Sequence, residues 1–246
     1  MQRKIRWGAA ILLVLLGAAV IAFPHLRGYV LERRSDEAAE QFLEAHMPPD
    51  NTESTVEENP FTVLLQQMDQ YNQWLYESEQ DILEEPDAFS HSGIDLTPYD
   101  IGDGVVGVLE IPAISVHMPL LLGATPEHLA LGACVLGGTS LPVGGENTNC
   151  VIAGHRGWHS AAYFRYLDQI QEGDTVQLTN LWVTLTYRVV EKRIIVPTDS
   201  DSILVQPGRD LLTLLTCHPY ASGGKQRLVV YCERVGEDAL YESWSA

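Results

Sequence analysis

Leu211-Leu212-Thr213-Leu214-Leu215-Thr216-Cys217 and, beyond a Gly223-Gly224 turn signal, Arg227-Leu228-Val229-Val230-Tyr231 are two apolar runs, each carrying one chemically active residue at its end. Runs of this length, bounded by glycine and proline, read as β-strands. The second run continues to Arg234, and the same pattern recurs upstream. Val105–Ile111, Val116–Leu121, Cys150–Ala153, Thr175–Leu178 and Val183–Val196 are further β-rich runs. Pro142-Val143-Gly144-Gly145, Glu172-Gly173-Asp174 and Pro207-Gly208 punctuate them. Leu185, Tyr187 and Val189 alternate with Thr184, Thr186 and Arg188, the period of a half-buried strand. Many short strands with few long helices predict a closed or sandwich-like β fold.

Three polar residues stand at the ends of such runs: Cys217, Arg227, and His155 after Val151-Ile152-Ala153-Gly154. A Cys, a His and an Arg suffice for acyl transfer. The thiolate attacks a carbonyl, the imidazole carries the leaving amine's proton, and a fixed cation or N–H stabilises the oxyanion. A thiol of ordinary pKa about 8.5 needs electropositive neighbours to ionise, which His155 and Arg227 would supply if the fold gathers them. Residue types alone leave other readings open. A cysteine in an apolar strand is most often a core residue, a histidine after a strand is commonly structural, and Arg227 would serve equally as an edge charge that blocks aggregation.

The charge is unevenly distributed. The chain has 246 residues, 15 Lys and Arg against 33 Asp and Glu, and a net charge of −18. That balance argues against a general nucleic-acid binder. Residues 1–34 hold six basic groups and only Glu32 as an acid, whereas residues 35–110 hold 19 acids and no Lys or Arg. Residues 156–246 are nearly balanced, with 9 basic and 11 acidic groups. The acidity therefore belongs to the segment ahead of the β region.

Arg3, Lys4 and Arg6 precede a 17-residue uncharged run, Trp7 to Phe23, at the short end of what spans a bilayer as a helix. It has no polar face and no clean cleavage region after its small residues, which favours an uncleaved anchor over a signal peptide. The basic flank predicts a cytoplasmic N-terminus. No apolar run near the C-terminus is long enough to span, so a single pass is expected. Residues 35–60 read as a solvated helical or flexible stalk, 61–84 as a helix carrying Phe61, Leu64, Leu65, Met68, Tyr71, Leu75 and Leu83, and 85–103 as an extended loop broken by Pro86, Gly93, Pro98 and Gly102.

Thr213-Leu214-Leu215-Thr216-Cys217 resembles the Thr-Leu-X-Thr-Cys signature of sortases, bacterial cysteine transpeptidases. Gly138–Gly145 followed by Ala153-Gly154-His155-Arg156-Gly157 is similar to the family's segment with the catalytic His, and Gln226-Arg227-Leu228-Val229-Val230 to its strand with the catalytic Arg. Ile111-Pro112-Ala113-Ile114 with Pro119-Leu120 resembles its first barrel strands. The resemblance covers roughly residues 70–235. It implies a mainly β fold: a closed sortase-type β-barrel of about eight strands with short helices, behind a helical and lid-bearing extension and one transmembrane helix. The expected organisation is an anchor with flanks at 1–34, stalk, helix and lid loop at 35–103, the barrel at 104–236 and a tail at 237–246.

The resemblance further implies that Cys217 attacks the Thr–Gly bond of an LPXTG-like sorting signal, with His155 as acid and base, Arg227 as orienting and oxyanion group, and Thr216 in oxyanion or substrate binding. No metal or other cofactor is expected. His155 and His159 have H-x-x-x-H spacing, but Gly157 intervenes and no Glu follows His155. His155-Arg156-Gly157 and Thr216-Cys217-His218-Pro219-Tyr220 lean towards class C, the pilin polymerases, whose amine acceptor is a pilin lysine. A housekeeping enzyme would instead use a cell-wall precursor. Class C also implies a lid with an Asp-Pro-aromatic motif, for which Asp87-Ala88-Phe89 is chosen over Asn59-Pro60-Phe61. Alanine in place of proline loosens that loop, and the second, C-terminal span of many class C members has no counterpart here. A non-catalytic surface β domain with an inert Cys217, or a hydrolase in which water resolves the acyl-enzyme, are the rival readings. Cys134 and Cys150 leave a disulfide open, and Cys232 reads as a core thiol.

Overall fold

The computed structural model describes residues 2–46, 61–80, 88–90, 93–99, 101 and 104–235. Eight strands form a closed barrel: β1 (Val105–Ile111), β2 (Val116–Leu122), β3 (Ala133–Val135), β4 (Thr148–Ala153), β5 (Thr175–Asn180), β6 (Thr184–Ile195), β7 (Asp210–His218) and β8 (Gln226–Arg234). Around the barrel their order is β1-β2-β3-β4-β7-β8-β6-β5. Closure pairs every one of these strands on both sides and leaves no open edge among them. The β2–β3 and β4–β7 pairs are parallel and the others antiparallel.

The strands expected from the sequence are found with boundaries shifted by at most two residues. Strand β3 is an addition. It has three residues, all buried, pairs in parallel with β2, and follows a short helix, Pro126–Leu131, whose N-cap Thr125 accepts from the His128 N–H. Inside the barrel, Leu109, Leu120, Ile152, Leu178, Leu212 and Val230 form one core. Asp210 serves as a polar clamp: it accepts from Gly145 N at 2.9 Å and Tyr187 Oη at 3.1 Å, and pairs with Arg234 at 3.3 Å. Burial nonetheless raises the Asp210 carboxyl above the ordinary range.

Helix α1 (Gln2–His46) runs unbroken with Pro24 inside it. Its apolar part is long and apolar enough to cross a membrane, with a mean hydropathy of 2.0 over 18 residues and none of that stretch buried. Beyond Leu26 one face changes character. Gly28, Ser35, Ala39 and Phe42 are buried, a spacing that places them on one side of a helix, and the helix packs on β1 and β2. Residues 35–46 are therefore not the solvated stalk expected from their acidity. Small residues on the inner face permit close packing, while Glu37 and Glu40 stay in solvent on the outer face. Helix α2 (Thr62–Glu77) buries Leu64, Met68, Asn72 and Leu75. It is tied to the barrel by Asn72, which donates to Leu141 O and accepts from Leu141 N at 2.7 Å. The tail at 237–246 lies outside the described residues.

Candidate active site

Strand register gathers the three candidate residues. Cys217 is the direct antiparallel partner of Arg227 across the β7–β8 pair. On the other side of β7, the parallel β4 pairs Ile152 with Leu214 and Ala153 with Leu215. The Gly154 N–H donates to Leu215 O at 3.1 Å, continuing that register. Two residues beyond Ala153 and Leu215 come His155 and Cys217. The three residues thus stand at neighbouring strand tips with Cys217 in the centre, although 62 and 10 positions separate it in sequence from His155 and Arg227.

The Arg227 guanidinium is folded back by donating Nη1 to Gly224 O at 2.7 Å and Gln226 O at 3.1 Å. Gly224 has φ +76°, and a Cβ there would lie 3.2 Å from Arg227 Nη1 and 3.4 Å from Cys217 Sγ. Glycine at this turn keeps free the space that thiol and guanidinium share. His155 stacks on Trp158, with centroids 4.5 Å apart and planes 12° from parallel, and meets the edge of Tyr163 at 6.1 Å. This aromatic setting half-buries the imidazole, and that burial, followed by the nearby His159, holds its pKa below 6.5. A buried imidazole prefers its neutral form.

Cys217 differs from the other cysteines. All four thiols are free, but Cys134, Cys150 and Cys232 are buried and Cys217 is not. Burial pushes the Cys134 thiol up to about 12 and raises Cys150 and Cys232 as well. Those three are inert core groups, and the disulfide left open between Cys134 and Cys150 is not formed. Cys217, His155 and Arg227 line a mainly apolar cleft of about 490 Å³, whose wall also includes Phe89, Leu136, Ile195, Pro197, Asp199 and Ile203. An apolar trough with a few converging polar groups is a common design of ligand sites.

Thr216 borders the cleft, but its hydroxyl is turned away from it. Successive strand residues face opposite ways, and its side chain turns inward, 1% exposed, where Oγ1 donates to Gly154 O at 2.7 Å. The hydroxyl proton is committed to holding the end of β4 against β7, one residue before His155, and is not directed at a substrate oxyanion. Of the lid candidate, Asp87 lies outside the described residues. Ala88–Ser90 forms a single 3₁₀ turn, and Phe89 O accepts from Ala124 N at 2.8 Å and Gly137 N at 3.1 Å, fixing the Phe89 backbone beside the cleft. Phe61, from the rejected candidate, packs near His46 instead.

Arg156, to which the sequence alone gives no role, is buried next to the site. Its Nη2 pairs with Asp168 at 2.8 Å, and its Nη1 lies 2.7 Å from His218 Nδ1 and 3.5 Å from Cys217 O. A signal is present: Arg156 is the first Lys or Arg after Arg34, and a cation isolated in an apolar, acidic stretch calls for a specific partner. Arg156→Met is expected to lower unfolding free energy by about 1.5–3 kcal/mol, the range for hydrogen bonds to a charged group. Urea titration of wild type and variant measures it, and an unchanged midpoint would show that the contacts of Arg156 with Asp168 and His218 add nothing to stability.

A sortase-domain model matches residues 109–235, just over half of the chain, and the chain belongs to the sortase family of cysteine transpeptidases. Sortase D of Bacillus subtilis (strain 168) is 30% identical over 131 residues, 52% of this chain and 63% of that protein, so the chain spans under two thirds of that relative's length. Among solved structures the neighbours are class C pilin sortases. Sortase C1 of GBS Pilus Island 1 superposes with a TM-score of 0.69 at 28% identity, covering 82% of this chain and 93% of that one. Sortase C from Clostridium perfringens, solved with the C-terminal cell wall sorting motif, gives 0.65 at 30% identity, covering 82% and 99%.

Proposed function

We propose that this chain is a membrane-anchored class C sortase that cleaves an LPXTG-like sorting signal and transfers it to an amine, a pilin lysine. The observation that carries the reading is the register of β4, β7 and β8, which brings His155, Cys217 and Arg227 to neighbouring strand tips that line a mainly apolar cleft. The cleft receives the Leu and Pro of the signal as an extended strand. Cys217 attacks the Thr carbonyl carbon, and His155, neutral beforehand, takes the thiol proton. Arg227 donates to the signal's backbone and to the tetrahedral oxyanion. The Thr–Gly C–N bond then breaks, the proton passes from His155 to the departing Gly amine, and a thioester remains on Cys217. The incoming lysine amine attacks that thioester, gives its proton to His155, and the thiolate leaves and is reprotonated. An isopeptide bond is the product.

The apolar part of α1 serves as the anchor, with the barrel on the extracellular side. The Asp87-Ala88-Phe89 segment acts as the lid: Phe89 covers one wall of the cleft, and the loop must move before a signal binds fully. The test incubates the full chain in detergent micelles with an LPXTG peptide and analyses the intact protein by mass spectrometry. A thioester adduct on Cys217 in wild type, absent from Cys217→Ala, is the expected result. No adduct from wild type, even with residues 85–91 replaced by a glycine-serine linker to remove the lid, would refute the assignment. Release of free acid unaffected by added amine would make the protein a hydrolase.

A further inference from the structure

The anchor helix touches the loop that follows His155. Gly28 is buried in α1, and a Cβ there would lie 2.9 Å from the Ser160 carbonyl carbon and 3.0 Å from His159 O. One turn on, Glu32 Oε1 accepts from the Ala162 N–H at 2.9 Å. Another turn on, Ser35 and Asp36 border a cavity of about 320 Å³ together with His117 and Tyr166. Gly28 is the first buried position after the apolar part of the helix, and it is the loop at His159 and Ser160 that meets it there.

Helix geometry gives the height. The uncharged run ends at Phe23, and five residues at 1.5 Å each place Gly28 about 7.5 Å farther along the axis. The headgroup layer is about 5–7 Å thick on each side of the hydrocarbon core. A loop in contact with Gly28 therefore stands at the outer edge of the headgroup layer. Its surroundings expose aromatic rings: Trp158 is 40% exposed and Tyr220 53%. Arg165 lies over the Tyr220 ring at 5.4 Å, and Gly157 packs against both. Trp and Tyr, with an apolar ring and a polar edge, are the side chains enriched at membrane interfaces, and a cation beside them meets lipid phosphate.

The geometry points to the loop Gly157–Tyr163, with Arg165 and Tyr220, as a face seated on the phospholipid headgroups of the membrane that α1 crosses. This rests on the reading of α1 as a transmembrane anchor. The face is continuous with that helix, and this continuity selects the bilayer over a soluble protein as its occupant. Trp158 has two roles in this arrangement. Its exposed edge meets lipid, and its face stacks on His155, so lipid contact bears directly on the imidazole and keeps the site beside the bilayer surface.

The test places the full chain in phosphatidylcholine nanodiscs whose acyl chains are brominated close to the ester carbonyls, which quench nearby tryptophans. Emission of wild type is compared with Trp7→Phe and Trp158→Phe, each against unbrominated lipid. Both substitutions are expected to remove a quenched component. Tyr220→Trp, at an exposed position, is expected to add one, and this keeps the test open if Trp158→Phe folds poorly. A quenched Trp7 component, with no quenching of Trp158 and none of the indole added by Tyr220→Trp, overturns the proposal and leaves the anchor standing. That is also the result a soluble protein partner on this face would give. An unquenched Trp7 component refutes the anchor itself, and the interfacial face with it.

Discussion

Arg227→Ala is expected to lower kcat/KM for peptide transfer by about 10²–10³-fold, the range seen when one oxyanion donor is lost. The geometry explains why the effect is large and local. Arg227 is the cross-strand partner of Cys217, and its guanidinium is held over Gly224 by two backbone carbonyls. It therefore arrives at the reacting carbonyl already oriented. Those carbonyls are satisfied through Nη1, which leaves the other end of the planar fork for the substrate. Lysine carries a similar charge, but its three donors sit on one atom at the end of a flexible stem and cannot span the carbonyls and the substrate as the planar fork does, so Arg227→Lys is expected to recover little. Steady-state transfer by the full chain gives the numbers. Modification of Cys217 by a small alkylating reagent separates the interpretations: both variants should still be labelled, because the thiol remains accessible. Activity within about threefold of wild type in Arg227→Ala, far short of the loss of an oxyanion donor, would remove this residue from the mechanism.

Much of this site is legible because its residues sit at the ends of strongly apolar strands. A run such as Leu211–Thr216 has few ways to be buried, so its polar terminus is placed as soon as the strand is recognised. The adjacency of the three tips is not legible, because it depends on β4 pairing in parallel with β7, a long-range register that no local pattern encodes. Strand β3 escapes notice because Ala133–Val135 is too short for an alternation to develop. The inward turn of the Thr216 hydroxyl has a related reason. Its neighbour in sequence, Cys217, faces the cleft, and the strand period then turns Thr216 away into the barrel wall.

Helix α1 illustrates the opposite failure, in which composition misleads. The abundance of acids after Ser35 suggests a segment in water, and on the outer face that is correct. The inner face is written in Gly28, Ser35, Ala39 and Phe42, where three of four residues are small and contribute little to a hydropathy average. Small residues there bring the helix axis close to the sheet. This closeness lets Gly28 and Glu32 reach the loop 159–162, connecting the anchor with the residues next to the candidate site.

His155→Ala is expected to cost about 10²–10⁴-fold in kcat/KM, the usual worth of a positioned acid–base group. Its pH behaviour tests the role more sharply. Burial against Trp158 and Tyr163, and secondarily His159, keep the imidazole below 6.5. The neutral ring is the form that can accept the Cys217 proton, so kcat/KM should fall on acidification, with its inflection below 6.5. Trp158→Ala opens the ring to water and should move that inflection up towards 6.5. Stability carries the same sign. The unfolded chain protonates its histidine near 6.5 while the folded chain still resists, so the unfolded state binds more protons and stability falls as pH drops from 6.5 to the lowered folded value. His155→Gln should flatten that part of the dependence, measured by urea titration at intervals across the window. An inflection that stays in place when Trp158 is removed would show that a group other than His155 governs the acid limb, and would return the imidazole to a purely structural position beneath the cleft.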